Sequence, residues 1–363
     1  MKPPPRILIV DDSSVCRALL REQLETEGDV QVVGEAADGA TALRRVHAER
    51  PDLVTVDLHM PGMDGLTLIE RIMSEAPTPI LVVTGEPEGS NAEGVFEAQR
   101  RGALDLARKP ADDDAHAAAD LRASVRRLAG VRVVRHMRRR APSPVPPPPT
   151  AGPAPPARPT DAGDPRIRVV GIAASAGGPA ALVSVLGRLP RPFPVPVAVV
   201  QHLPRGFAAS FAEFLRRRTG LRVRAVNDAL QPTPGDVLVA GDDVHLVVSP
   251  RGGFAVDRGG PVDGHRPSAT VLLRSLAATF GPRAMGVVLS GMGQDGVDGL
   301  GAIRDAGGVT VAQDRETSAV FGMPRAAAEQ GVAQRVLALD AIGPAIAGAV
   351  LGREGPGNDR GAA

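Results

Sequence analysis

Aromatic residues are scarce in this sequence, which has no Trp, no Tyr and only 8 Phe among 363 residues. Its hydrophobic cores must be mainly aliphatic, and stacking on bases is not available as a major way of binding nucleic acid. Charge of one sign is lacking too, because 42 basic residues stand against 41 acidic ones. No overall field favours nucleic acid or an anionic membrane, so we expect no nucleic-acid partner and recognition by local sites.

A disulfide framework is excluded because Cys16 is the only cysteine. The opening residues MKPPPRILIV lack the basic flank, long apolar stretch and small-residue cleavage site of a signal peptide. No apolar run approaches the roughly 20 residues that a membrane-spanning helix needs. We therefore expect a cytoplasmic protein with no direct membrane insertion, and we expect it to be a monomer.

Proline is the commonest residue in the segment 141–165, where apolar periodicity disappears, and this composition predicts a semi-extended linker. The arginine series LRASVRRLAGVRVVRHMRRR precedes it and is interpreted as a solvated face, with a docking site for an acidic partner as the alternative. The predicted organisation is a first domain over 1–128, an Arg-rich then Pro-rich linker over 129–165, a second domain over 166–352 and a flexible tail over 353–363.

Both predicted domains belong to the α/β class, because short apolar runs alternate with segments of helical spacing. Upstream of the linker, five such runs predict five βα units and a flavodoxin-like parallel sheet covered by helices. Downstream, six runs predict a doubly wound, mainly parallel, Rossmann-like sheet. The stretch HLVVSPRGGFAVDRG predicts an antiparallel hairpin added to that second sheet.

Polar residues with a common chemistry follow the strands of the first domain. Asp11 and Asp12 end the first strand, Asp57 ends the third, Thr84 ends the fourth and Lys109 follows the fifth. Parallel strands bring these ends into one pocket, where three carboxylates need a hard cation such as Mg²⁺. A carboxylate beside that ion can accept a phosphoryl group, whose oxygens Thr84 and Lys109 can bind.

Helix capping is the competing explanation for acidic and hydroxyl residues at strand ends, and Ser13 and Asp64 stand where N-caps belong. Capping does not account for the whole set, which lies on four of the five strand ends. The stretches VDDSSVCR, DLHMPGMDG and ARKP resemble the receiver domain of two-component response regulators over about residues 5–128.

This resemblance implies that Asp57 is phosphorylated by a sensor histidine kinase. It also implies that Asp12, Asp57 and the backbone carbonyl of His59 hold Mg²⁺ beside Asp11. Leu106 departs from the aromatic residue that many receivers carry at this place.

The stretch GIAASAGGPA admits two interpretations, a phosphate-binding turn or a turn that presents a nucleophilic Ser175. A dinucleotide site needs a G-x-G-x-x-G turn and an acidic residue at the end of the second strand. Gly171 lies too far before the later glycines, and the second strand delivers Gln201 and His202 instead of an acid. A histidine there can take a proton from a serine on the neighbouring strand end.

A carboxylate should complete such a triad, and the turn SGMGQDGVDG supplies two candidates. We prefer Asp295, because Asp298 would lie about one turn into the following helix. The same turn offers backbone N–H groups around Met292 for an oxyanion, and the helix that begins near Gly177 adds its positive end. Each residue alone is more often structural, whereas the three strand ends together favour a Ser-His-Asp hydrolase.

The motifs GIAASAGGP, VVQHLPRGFAASFAEFL, GHRPSATVLLRSLA, LSGMGQDGVDGL and AQDRETSAVFGMPRAA resemble the catalytic domain of the chemotaxis protein-glutamate methylesterase family. The resemblance implies hydrolysis of glutamyl methyl esters on chemoreceptors, with methanol as product, and deamidation of receptor glutamines, with no cofactor for hydrolysis. It implies Ser175 as nucleophile, His202 as general base and then acid, Asp295 as the residue that orients the imidazole, and the Met292 N–H in the oxyanion hole.

Three positions depart from that family: Ala176 replaces its usual Thr, Thr270 stands where an acid is usual, and Arg315 replaces a common acid. They leave two alternatives to the methylesterase open, a binding module with a decayed catalytic domain and an amidase that acts mainly on glutamine. For the methylesterase, we expect the unphosphorylated receiver to cover the active-site face and phosphorylation of Asp57 to favour an open form.

Overall fold

The structure is a computed structural model that describes residues 3–85, 91–110, 115–131, 133, 167–249 and 252–352. Most of the predicted linker at 129–165 and all of the predicted tail at 353–363 lie outside these residues. The same is true of residues 250–251 in the predicted hairpin turn. The domain boundaries proposed from composition therefore stay predictions.

Five strands and five helices alternate in the N-terminal part of the chain: β1 (Arg6–Val10), α1 (Ser14–Glu25), β2 (Gln31–Ala36), α2 (Gly39–Glu49), β3 (Leu53–Val56), α3 (Gly65–Glu75), β4 (Ile80–Thr84), α4 (Asn91–Arg100), β5 (Asp105–Arg108) and α5 (Ala115–Leu128). Every pair of neighbouring strands is parallel, in the order β2-β1-β3-β4-β5. This is the flavodoxin-like order, so the predicted five βα units are confirmed.

The C-terminal part contains the remaining elements: β6 (Val169–Ala174), α6 (Gly178–Leu186), β7 (Val197–Gln201), α7 (Ala208–Thr219), β8 (Arg222–Val226), β9 (Asp236–Ala240), β10 (His245–Val248), β11 (Phe254–Asp257), α8 (Ala269–Phe280), β12 (Ala284–Val288), α9 (Val297–Asp305), β13 (Val309–Gln313), α10 (Met323–Glu329), β14 (Arg335–Leu337) and α11 (Leu339–Leu351). Seven strands form one parallel sheet in the order β14-β13-β12-β6-β7-β9-β8. The strand order reverses on either side of β6, where open α/β sheets bind their ligands.

Two details differ from expectation. The predicted hairpin forms between β10 and β11, but it is a separate two-stranded sheet and is not added to the seven-stranded one. Its apolar residues Leu246 and Phe254 instead join the core that α8 covers. The sheet also gains β14, a strand of only three largely exposed residues that leaves almost no apolar signal.

Helix capping explains part of the polar pattern in the first domain. The Ser13 hydroxyl accepts a hydrogen bond from the Cys16 amide at 3.3 Å, and the Asp64 carboxylate accepts one from the Thr67 amide at 2.7 Å. These residues begin α1 and α3 as N-caps. The carboxylates at the ends of β1 and β3 are not the N-caps of these helices, although Asp11 accepts a hydrogen bond from the Ser13 amide at 2.9 Å.

The two domains share one hydrophobic core. Phe96 of α4 is fully buried, and its ring centroid lies 5.0 Å from that of Phe211 and 5.2 Å from that of Phe214 on α7. Phe207 meets the same ring edge-on at 6.5 Å. Half of the scarce Phe residues thus lie at the contact between the domains. No helix within the described part of the chain is long and apolar enough to cross a membrane.

Candidate active site

The first candidate site lies at the carboxyl ends of β1, β3 and β5. Carboxylate oxygens of Asp11, Asp12 and Asp57 all lie within 4.8 Å of one another. The Lys109 ammonium donates to Asp57 at 2.8 Å and lies 2.7 Å from Asp11. Asp11 and Asp57 are buried, whereas Asp12 is exposed. An all-oxygen cluster with one solvent-facing member fits the ligand preference of Mg²⁺.

The other residues predicted for this site lie next to it. Thr84 is the last residue of β4, and its carbonyl accepts a hydrogen bond from the Lys109 amide at 2.7 Å. His59 is exposed and lies two residues after Asp57. The sequence-based set is therefore brought together at one edge of the sheet, while metal ligation by the His59 carbonyl stays a prediction.

The second candidate site lies where the strand order of the large sheet reverses. Ser175 follows β6, and His202 follows the adjacent β7, in which Gln201 is paired with Ala174. Asp295 follows β12 on the other side of β6. Three neighbouring strand ends thus deliver the predicted serine, histidine and aspartate to one place.

A hydrogen bond of 2.8 Å joins His202 Nε2 to the Asp295 carboxylate. Two backbone amides at the start of α8 also donate to that carboxylate, from Ala269 at 2.7 Å and from Thr270 at 3.0 Å. The Ser268 hydroxyl donates to it at 2.8 Å. Burial raises the pKa of the Asp295 carboxyl, but the bonds from His202, Thr270 and Ala269 outweigh burial and hold the pKa well below its usual range.

Because a carboxylate only accepts hydrogen bonds, the proton of this contact belongs to His202 Nε2. Nδ1 is then the nitrogen that can accept a proton. Ser175 Oγ makes no hydrogen bond to the ring within the described residues, although the two residues lie on adjacent strand ends. Only 6% of Ser175 is exposed. Catalytic hydrogen bonds are often long or poorly aligned without substrate, so this geometry keeps the serine as a candidate.

Glycines let the turns at this site approach each other closely. A Cβ on Gly178 would clash with Gln201 Oε1 and lie 2.9 Å from Ala174 Cβ, and one on Gly291 would lie 2.9 Å from Ser175 Cβ. Gly177 has φ +74° and precedes α6 as its N-cap. The glycines of the GIAASAGGPA stretch therefore serve close packing and the start of a helix.

The turn after β12 supplies a free backbone donor. Among the described residues, no acceptor bonds the Met292 amide, whereas the preceding Gly291 amide donates to the Val320 carbonyl at 3.0 Å. The rival carboxylate, Asp298, is exposed on α9 and pairs with Arg274 at 3.0 Å. The structure thus brings Met292 to the site with Asp295 and leaves Asp298 outside it.

The three positions that depart from the family pattern have definite surroundings. Thr270 Oγ1 accepts a hydrogen bond from the Gly296 amide at 2.8 Å, so a hydroxyl supplies the acceptor that an acid could supply. Ala176 is fully buried, and its carbonyl accepts from the Ser290 hydroxyl at 2.7 Å. The Arg315 guanidinium lies 5.1 Å from the centre of the Phe321 ring. The backbone of Phe321 forms an isolated β-bridge with that of Gly291.

Several supporting residues escaped the sequence analysis. Buried Gln201 donates through Nε2 to the carbonyls of Ser175 and His202, both at 2.9 Å, and so ties the two strand ends together. Ser268 both caps α8 and binds Asp295. The His265 ring stacks on that of His202, with centroids 4.0 Å apart and planes 5° apart. The one sequence signal for these roles is that each residue is polar and lies close in sequence to a predicted site residue or to the start of a helix. The sequence does not show which of these residues come into contact in the fold.

The first domain contacts the turn that carries Ser175. The Gly177 amide, at the start of α6, donates to the carbonyl of Leu104 in the first domain at 2.9 Å. Ala176 belongs to the same buried cluster as Leu104, and Met292 packs against that cluster. The turn that carries Ser175 is therefore in direct contact with the N-terminal domain.

Charged residues flank this contact. Arg218 of α7 donates to Glu97 of α4 at 2.7 Å, and Arg217 donates to Glu93 at 3.2 Å. Burial raises the pKa of the Glu97 carboxyl, but hydrogen bonds and charges from Arg100 and Arg218 outweigh burial and lower it. The contact thus combines an aromatic centre with ion pairs at its border, as protein interfaces commonly do.

Taken together, the fold and the two sites define a class: a receiver-type α/β domain with an acidic pocket, placed over an α/β domain with a serine-hydrolase-type cluster. The response regulator receiver domain family matches residues 7–120, and the CheB methylesterase family matches residues 170–346. The chain belongs to the CheB methylesterase family.

Similar proteins cover almost the whole chain. The protein-glutamate methylesterase/protein-glutamine glutaminase 2 of Anaeromyxobacter dehalogenans is 45% identical over 354 residues, which are 94% of this chain and 96% of that protein. A relative of the same description, numbered 4, in Myxococcus xanthus is 42% identical over 97% of this chain and 99% of its own. The crystal structure of the Thermotoga maritima CheB methylesterase catalytic domain has 35% identity, covers 50% of this chain and 97% of that one, and gives a TM-score of 0.48.

Proposed function

We propose that this protein hydrolyses glutamyl methyl esters on chemoreceptors, under the control of phosphorylation of its receiver domain. The observation that carries the proposal is the His202–Asp295 hydrogen bond of 2.8 Å on the strand end next to Ser175. Membership of the family and the names of relatives that span the whole chain support the substrate class.

In this proposal, His202 Nδ1 removes the proton of Ser175 while Oγ attacks the ester carbonyl carbon. In the chymotrypsin-type triad the aspartate binds Nδ1 and the serine uses Nε2, so the two ring nitrogens exchange roles here. The imidazolium returns its proton to the departing methoxide, and methanol leaves an acyl-serine. Water, activated by the same nitrogen, then releases the glutamate carboxylate and restores the serine.

Two features stabilise the charges that develop in this reaction. The Met292 amide donates to the oxyanion, aided by the positive end of α6 beside Ser175. The ionised Asp295 carboxylate stabilises the imidazolium, and three donors from the start of α8 keep it in place. A second activity, the deamidation of glutamine, would use the same atoms with ammonia as the leaving group, and the relatives' names favour it.

Mg²⁺ would be held in the receiver pocket by Asp11, Asp12 and Asp57, and it would neutralise the phosphoryl oxygens as Asp57 is phosphorylated. Lys109, already bonded to Asp57, is placed to bind the phosphoryl group, and Thr84 lies at the neighbouring strand end. The phosphodonor in this proposal is a sensor histidine kinase.

Control would follow from the contact between the domains. A receptor glutamyl side chain must reach Ser175, yet the turn that carries this serine is in contact with Leu104 and its buried cluster in the first domain. We infer that this is the closed form, and that phosphorylation of Asp57 shifts the population toward an open one.

Methanol release from methylated receptor membranes, with and without acetyl phosphate, tests the proposal. Wild type should release methanol faster with the phosphodonor, the Asp57→Ala variant should respond to no phosphodonor, and the Ser175→Ala variant should release none. Equal release by wild type and Ser175→Ala would instead support a binding module. Ammonia without methanol would support an amidase, and equal rates in every phosphodonor condition would contradict the regulatory part.

A further inference from the structure

The ring of His265 lies flat against that of His202. Their centroids are 4.0 Å apart and their planes differ by 5°, which is close to a face-to-face stack. His265 belongs to the segment between β11 and α8, whereas His202 follows β7, so two separate parts of the chain bring the rings together. The contact covers one face of the imidazole that the proposed reaction uses.

The backbone around His265 is firmly held. Its amide donates to the Val262 carbonyl at 2.9 Å, and its carbonyl accepts from the Val262 amide at 3.1 Å. The next residue, Arg266, donates to Asp243 at 2.7 Å and to the Gly259 carbonyl at 3.0 Å. A ring on such a closed turn presents a fixed surface to its neighbour.

The His202 ring needs this kind of support. Its one hydrogen bond among the described residues joins Nε2 to Asp295, and a single bond leaves the ring free to turn about the N···O direction. Turning moves Nδ1 away from Ser175 while the bond to Asp295 survives. A flat partner against the ring face opposes this rotation.

Charge makes His265 suitable beside a ring that must become cationic. Burial and the His202 charge lower the pKa of His265 to about 4, Asp295 acts against them, and Arg127 of the first domain adds to the lowering. A neutral neighbour does not repel the imidazolium that forms on His202. A charged His265 ring, stacked on His202, would repel the positive charge and so oppose formation of the imidazolium.

We propose that His265 is a positioning residue, which by stacking holds the His202 ring in the plane where Nε2 meets Asp295 and Nδ1 faces Ser175. The inference rests on the proposed function, because it takes His202 as the proton acceptor. It assigns to the GHRPSAT segment a second task besides the binding of Asp295.

The test compares two uncharged, apolar replacements of similar size, His265→Phe and His265→Leu, in the full-length phosphorylated protein. Phe keeps a flat ring and should retain kcat within about threefold. Leu has no flat ring, and loss of a stack of this kind should lower the population of the correctly oriented His202 ring about tenfold. We therefore expect kcat to fall about tenfold with little change in KM. Equal kcat for the two variants would overturn the proposal.

A spectroscopic measurement separates positioning from general damage. The Nε2 proton of His202, bonded to Asp295, should give a downfield proton resonance in wild type and His265→Phe that broadens in His265→Leu. His265→Gln replaces Leu if the latter does not fold, with the same expectation for kcat and resonance. An unchanged resonance in the non-aromatic variant contradicts the inference. Activity in Ser175→Ala, measured in the same assay, would instead mean that the proposed function itself is wrong.

Stability against pH checks that His265 is neutral in the folded protein. Its folded pKa of about 4 lies below the unfolded value of 6.5, so the unfolded chain binds more protons between these values. Stability from this group is present above pH 6.5 and is lost as the pH falls toward 4. His265→Phe should therefore lose less stability than wild type over that interval, and an identical loss would contradict the neutral stack.

Discussion

The two candidate sites occupy the same place in their sheets but differ in their exposure to water. In the receiver pocket, Asp12 faces solvent and the Lys109 side chain is 23% exposed. At the hydrolase site, Asp295 is 2% exposed and Ser175 6%. The reacting residues themselves are about equally covered, since Asp57 is 7% exposed, so the difference lies in the groups around them, and at the hydrolase site the first domain contacts the turn that carries Ser175.

The two sites also differ in how their carboxylates are stabilised. Lys109 offsets only part of the charge of the three receiver carboxylates, so that pocket has the composition of a cation-binding site. The single carboxylate of the hydrolase site is satisfied by protein donors before any substrate arrives. One parallel-sheet edge can therefore serve as a switch that responds to its ligand, and another as a prearranged catalyst.

The largest expected effect comes from Asp295→Asn, which should disable the hydrolase site and leave the receiver pocket intact. An amide can hold the wrong tautomer of His202, and we expect kcat for methanol release to fall about 10³–10⁴-fold. Phosphorylation of Asp57 should be unchanged. Asp298→Asn, on the exposed face of α9, is the matched control and should leave methanol release at the wild-type rate.

Asp57→Asn is the reverse experiment. It should abolish incorporation of phosphate and all acceleration by a phosphodonor, because the accepting carboxylate is gone. The unphosphorylated rate of methanol release should remain. A loss of that basal rate would contradict this expectation, because it would mean that the receiver pocket, which lies on a separate sheet, contributes to hydrolysis directly.

Weakening the contact between the domains should make the hydrolase site more accessible to substrate. Arg218→Ala removes the 2.7 Å bond to Glu97, and ion pairs of this exposure are worth up to about 1 kcal/mol. The closed form should lose that stabilisation, so that methanol release without a phosphodonor rises up to about fivefold. Arg216→Ala, whose partner Glu213 lies on its own helix, should change nothing.

The last prediction concerns stability, not rate, and tests the support beneath the hydrolase site. Thr270→Val removes the acceptor of the buried Gly296 amide and should lower the free energy of unfolding by about 1–3 kcal/mol, measured by urea denaturation. Thr270→Ser keeps the hydroxyl and should restore most of the difference. Equal stability of both variants would show that the bond to Gly296 contributes nothing.

Much of this architecture could be predicted, because strand-end chemistry and apolar alternation are local signals. Ser175, His202 and Asp295 each follow a strand that an apolar run in the sequence predicts. Parallel strands necessarily gather such ends along one edge. The separation of Asp298 from the site followed equally from helical geometry.

Contacts between distant segments could not be predicted in the same way. The apolar face of α4 shows that Phe96 is buried, but periodicity says nothing about its partner on α7. The stack of His265 on His202 likewise joins segments whose spacing carries no signal. The hairpin was expected on the large sheet because alternation reveals a strand without revealing which neighbour it pairs with.

The bond from the Gly177 amide to the Leu104 carbonyl joins main chain to main chain. Because both partners are backbone groups, no replacement of the Leu104 side chain removes this hydrogen bond. A selection for permanently active variants should therefore find substitutions of residues around Leu104 that weaken the contact indirectly. Chemical synthesis with an ester in place of the peptide bond after Leu104, which weakens that carbonyl as an acceptor, is the direct way to alter it.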